Sequence, residues 1–124
     1  MYQSKQEHYL TTQVMSASPH KLIEMLLEAA IKNTRLSQRD IEKGQTQKAS
    51  DHLIRAQEII NELRYSINEE VDPILSESLV KLYDFMYQRL VTANIKKEIE
   101  IVNEVQHLLK ELLETWREIS SSDS

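Results

Sequence analysis

Residues 79–94 read LVKLYDFMYQRLVTAN, and the placement of this stretch decides the fold. On a helix, at 100° per residue, Leu79, Leu82, Tyr83, Met86, Leu90 and Ala93 form one stripe. Val80, Tyr87 and Val91 widen that stripe sideways. The apolar arc reaches roughly 180°, against the ~100° of a helix that buries a single face. Such a helix is either central to a bundle or open along one flank to a partner.

The rest of the chain supplies the bundle. Asp72-Pro73, just upstream, is a helix start: the carboxylate accepts from free backbone N–H groups and proline fits the first helical position. The third helix is therefore expected from about Pro73 to Ala93, with Asn94 as its C-terminal cap. Ser18-Pro19 repeats the same signal. It opens a first helix that runs to about Lys43 and stops at Gly44, the only glycine. Leu22, Ile23, Met25, Leu26, Ala29, Ala30, Leu36 and Ile41 mark its apolar side, while Leu27 and Ile31 fall off the main face.

A second helix is expected from about Gln47 to Asn68, with Thr46 as a candidate cap. Ala49, Leu53, Ala56, Ile59, Ile60, Leu63 and Ile67 share one face of it. A fourth starts near Lys96 and runs to about Ile119, with Ile101, Val102, Val105, Leu108, Leu109, Leu112, Leu113 and Trp116 along its arc. Four helices joined by short breaks predict an all-α fold, an antiparallel up-down four-helix bundle. It forms a single domain over residues 1–124, with 120–124 (SSSDS) as a polar tail. Residues 1–17 are polar with scattered apolar positions. They read either as a frayed tail or as a segment that lies on an apolar surface through Tyr9, Leu10, Val14 and Met15.

Composition agrees. With 40% hydrophobic residues the chain can bury a core, and one glycine with two prolines leaves little turn chemistry for sheets. No cysteine is present, so disulfides, thiol catalysis and zinc–thiolate sites are excluded. No apolar run is long enough to insert in a membrane, and Met1–Leu10 is too polar for a signal sequence, so a cytoplasmic protein is expected. The net charge is −5, which disfavours nucleic-acid binding. The charge is uneven. Residues 19–68 carry eight basic and seven acidic side chains, whereas 69–124 carry six basic and twelve acidic.

Catalytic signals are thin. Glu104-Val-Gln-His107 matches one Glu-x-x-His element of a di-iron bundle, but no second pair exists. An exposed His107 with Lys110 one turn on fits a histidine phosphotransfer bundle, yet Glu111 places a negative group beside the phosphoryl position. A purely structural bundle is the other alternative. No enzyme activity, metal or cofactor is expected.

Three stretches carry a resemblance: VMSASPHKLIEMLLEAAI at 14–31, AQEIINELR at 56–64 and LYDFMYQRLVTANI at 82–95. Together with Trp116 in LLETWREI, they resemble the flagellin export chaperone family, FliS, in order and spacing over nearly the whole chain. The chain departs from the family pattern at Phe85, where Tyr is usual, and at Gln88, where Arg is usual. Glu28-Ala29 replaces a common Asp-Gly, and the break at 69–73 lacks a Gly-containing loop.

The resemblance implies a cytoplasmic four-helix bundle that binds the disordered C-terminal region of flagellin. It implies that premature polymerisation is blocked and that flagellin is delivered to a component of the flagellar type III export apparatus. Combined with the wide arc, it places a flagellin-binding groove at Val80, Tyr83, Met86, Tyr87, Leu90, Val91 and Asn94. Tyr9, Leu10, Val14 and Met15 become an N-terminal cap over that groove. A monomer or weak homodimer is expected.

Overall fold

The computed structural model describes residues 19–68 and 70–122. The expected cap residues Tyr9, Leu10, Val14 and Met15 lie outside this range. Four helices follow one another: α1 (Pro19–Glu42), α2 (Thr46–Tyr65), α3 (Pro73–Lys96) and α4 (Ile99–Ser122). Neighbours in the chain pack together, α4 closes the ring against α1, and the diagonal pairs do not meet. Directions alternate. Trp116 Nε1 donates to the carbonyl of His20 at 2.9 Å and the two rings stack, so the end of α4 lies beside the start of α1. Arg117 extends the same junction to Glu28 at 2.7 Å. This is the antiparallel up-down four-helix bundle that the sequence predicts.

Each boundary has a local cause. Pro73 occupies the first turn of α3, and the Asp72 carboxylate accepts from the Leu75 N–H at 3.1 Å. At the end of α1, Gly44 takes φ +70. The Gly44 N–H donates to Ile41 at 3.0 Å and the Gln45 N–H to Asp40 at 2.8 Å, the paired bonds of a Schellman turn. A side chain at Gly44 meets nothing within 4 Å. Its cost is therefore backbone alone, and Gly44→Ala should lower stability by about 1 kcal/mol. The check is a lower urea midpoint at unchanged slope; an unchanged midpoint would mean that the turn has another low-energy shape.

Several boundaries differ from expectation. Thr46 is the first residue of α2 rather than its cap, and Gln45, which precedes it, makes no side-chain cap bond. The connection is so short that the Gln45 N–H is already spent on the end of α1. α2 stops at Tyr65, three residues before Asn68, where Ser66 turns back onto the carbonyls of Glu62 and Leu63. Asn94 does not end α3. The helix continues to Lys96, and Lys97 takes the left-handed cap position at φ 54. α4 begins at Ile99 and includes residues 120–122, which were expected as tail.

The core gathers Leu26, Leu27, Ala30 and Ile31 from α1 with the inner stripes of the other three helices. Leu27 and Ile31 are thus buried, contrary to their off-face position in the sequence pattern. α1 packs against both α2 and α4, so the arc it buries is wider than one seam. The α1–α4 contact also holds a polar ladder. Gln106 Nε2 reaches Thr34 Oγ1 at 3.2 Å and Gln38 Oε1 at 3.1 Å, and Gln38 bonds Asn103. Thr34 and Ser37 are fully buried, and each hydroxyl returns to a carbonyl one turn earlier, so neither donor is left unmade.

Candidate interaction surface

The residues expected to line a groove on α3 divide into two sets. Met86 and Leu90 are fully buried, and Tyr83 is 5% exposed; all three belong to the core cluster. They are therefore corrected from groove to core. They face the bundle interior, where α3 meets α2 on one side and α4 on the other. Burial raises the Tyr83 phenol from its ordinary value near 10 to about 12. An unfolded chain loses that proton near pH 10 while the folded chain keeps it. The contribution is intact below pH 10 and is lost as pH rises from 10 towards 12. Between pH 9 and pH 11 the protein should lose about 1 kcal/mol that Tyr83→Phe retains. Equal losses in both proteins, followed by urea titration, would contradict this placement.

Val80, Tyr87 and Val91 are half-buried. They lie on the same side of α3 as Asp84 and Asn94, within about 80° of rotation. That side faces α2. Arg64 Nε donates to Asp84 at 2.7 Å, and Ser50 Oγ donates to Asn94 Oδ1 at 2.7 Å. The flank is thus the α3 wall of a furrow between α2 and α3, crossed by polar contacts at Asp84 and at Asn94. Asn94 is spoken for within the bundle. The Lys97 ammonium also closes on its side-chain oxygen at 2.7 Å and on Ser50 at 2.9 Å. Asn94 is therefore a clamp between two helices rather than a free contact or a cap. On the α2 wall Gln57 is buried, and its Oε1 has no hydrogen-bond partner among the described residues.

Exposed apolar surface is also present that periodicity alone did not single out. Among the described residues, the exposed large hydrophobic ones are Ile54, Tyr65, Val71, Ile74, Leu75, Phe85, Ile95 and Ile119. All but Ile119 belong to α2, α3 or the link between them, and none is on α1. Ile74, Val71 and Tyr65 are 82%, 79% and 76% exposed, far beyond an edge-of-core position. Ile74 and Phe85 fall within about 20° of each other on the outer line of α3. The available signal was that α3 carries apolar residues around nearly its whole circumference.

Among the described residues, the histidines are otherwise engaged. His107 Nε2 lies 2.7 Å from Glu111, and Glu104 pairs with Arg89 at 2.8 Å. The neighbouring carboxylate stands where a phosphoryl group on His107 would need a cation. His52 Nδ1 lies 2.6 Å from the largely buried Asp40 and links α2 to α1.

The family model described as flagellar protein FliS matches residues 1–123. The chain belongs to the FliS family. It is 34% identical over 115 residues to a flagellar secretion chaperone FliS of Bacillus subtilis, covering 93% of this chain and 85% of that one. Against the flagellar secretion chaperone FliS of Salmonella typhimurium, identity is 36% over 112 residues, covering 90% and 83%. A crystal structure of a bacterial flagellar chaperone superposes with a TM-score of 0.80 at 20% identity, over 98% of this chain and 99% of that one, so the fold is shared. Two departures from the FliS pattern have visible settings. Phe85 is exposed on the outer line of α3, and Glu28 takes the ion pair with Arg117. Among the described residues, no helix is long and apolar enough to cross a membrane.

Proposed function

We propose that this chain is a cytoplasmic export chaperone whose α2–α3 face holds the disordered C-terminal region of flagellin. Holding that region prevents premature polymerisation and allows delivery to a component of the flagellar type III export apparatus. The carrying observation is the concentration of exposed apolar side chains on α2, α3 and their link. Relatives named as flagellar secretion chaperones support a binding role rather than a catalytic one. An amphipathic client segment needs only a 3.6-period stripe to lie along the furrow of Val80, Tyr87 and Val91. Each large side chain it covers contributes roughly 1.5–3 kcal/mol, part of which is offset by ordering the client. Calorimetry with a flagellin C-terminal peptide tests this. Binding with a negative heat-capacity change is expected; the absence of binding at micromolar concentrations would sink the reading.

The N-terminal segment is the proposed cover of the same face, through Tyr9, Leu10, Val14 and Met15. α1 starts at the end of the bundle that also carries Tyr65, Val71, Ile74 and Ile119, so exposed apolar surface lies at the end where the segment joins. Covering it keeps the free chaperone a monomer or weak homodimer, because uncovered apolar patches self-associate. Deleting residues 1–15 should raise client affinity and promote self-association in sedimentation. Unchanged affinity would show that the segment lies elsewhere.

A further inference from the structure

We propose that the exposed face of α1 is a second docking surface, built to take a short acidic segment of a partner protein. Lys32, Arg35, Arg39 and Lys43 follow one another at three- and four-residue spacing. They form a cationic stripe about 16 Å long at 1.5 Å per residue. All four are exposed, and none makes an ion pair among the described residues.

The other arginines behave differently. Arg55, Arg64, Arg89 and Arg117 each pair with a carboxylate. The two arginines left over, Arg35 and Arg39, stand one turn apart. Lys21, further up the same face, is matched by Glu24 at 2.9 Å. Glu28, one turn before Lys32, is drawn away to Arg117.

Like charges at these spacings repel and weaken their own helix. The helix dipole favours Arg39 and Lys43 near the C-terminus of α1, which accounts for those two. It does not account for Lys32 and Arg35, near the middle of the helix. A stripe that opposes its own helix is accounted for when an anion outside the chain completes it.

The shape of the charge selects the partner. Glu28 and Glu42 flank the stripe, and residues 69–124 carry six basic against twelve acidic side chains. A long polyanion such as a nucleic acid would run off the stripe into repelling surface. A segment with a few Asp or Glu residues would not. α1 and α3 are diagonal in the bundle and do not touch. The stripe therefore faces away from the outer side of α3, and both surfaces can be occupied together.

The experiment uses the full chain and a fluorescein-labelled eight-residue peptide of alternating Glu and Asp. Binding in low-salt buffer should weaken about tenfold at physiological ionic strength. Lys32→Gln/Arg35→Gln/Arg39→Gln should lose it, while Lys81→Gln/Lys110→Gln should keep it. The triple variant should melt no lower than the parent and bind the flagellin C-terminal peptide unchanged. No peptide binding by the parent, or equal binding by the triple variant, overturns the proposal. A lower melting temperature would make the stripe structural, and lost flagellin binding would make it part of the client site. Tighter binding of a single-stranded oligonucleotide of equal charge would assign it to nucleic acid instead.

Discussion

Leu90→Glu unfolds the bundle. Leu90 is fully buried in the cluster that joins all four helices. Removing its side chain alone costs about 2–5 kcal/mol, the range for a leucine truncated to alanine in a packed core. Placing a carboxylate there adds several kcal/mol more, because no cation from the core residues around it can compensate the charge. The sum approaches the ~5–15 kcal/mol that holds an ordinary domain together. Far-UV circular dichroism should show loss of helix at room temperature, whereas Leu90→Ala should stay folded with a lower urea midpoint. Val91 next to it is only half-buried, and Val91→Glu should remain folded. Normal stability in Leu90→Glu would place that residue on the surface and undo the assignment of α3's inner stripe.

The second large effect concerns the client. Val80→Ser, Phe85→Ser and Val91→Ser remove apolar surface from the furrow and from the outer line of α3. Val80 and Val91 are half-buried and Phe85 is exposed, so the fold should survive with a modest loss. The combined change should weaken flagellin C-terminal peptide binding about 10–100-fold, or roughly 1.4–2.7 kcal/mol, less than full burial of three side chains would give. Ile119→Ser removes an exposed side chain from a different helix and serves as the control. Calorimetry on the folded variants separates the two cases. Parent-like affinity in the triple variant, or an equal loss in the control, contradicts a client site on this face.

How far the chain could be read without coordinates follows from where the determinants lie. Pro19, Gly44, Asp72 and Pro73 act on their own backbone, so the ends they set were legible. Asn94 was misread because its amide is claimed by Ser50, 44 residues away, and by Lys97. A residue that caps helices in isolation becomes an interior clamp when tertiary partners reach it. Leu27 and Ile31 were misread for a related reason. A helix flanked by two others buries more of its circumference than a single-seam pattern allows.

The candidate site was half legible. The excess apolar surface of α3 was visible as an arc, but its division into core and flank was not. Tyr83, Met86 and Leu90 lie between α2 and α4, whereas Val80, Tyr87 and Val91 look towards α2 alone. Only the position of α2, fixed through Arg64–Asp84 and Ser50–Asn94, separates the two sets. Ile54 and Tyr65 escaped notice because they sit on α2, whose sequence reads as an ordinary one-sided helix.

Hydrogen exchange of the full chain with and without the flagellin C-terminal region tests the central claim most directly. The added protection should fall on residues 46–65 and 71–96, with the exposed turns of α1 from Lys32 to Lys43 unchanged. Protection confined to α1 and α4, with α2 and α3 exchanging as in the free protein, would contradict the account.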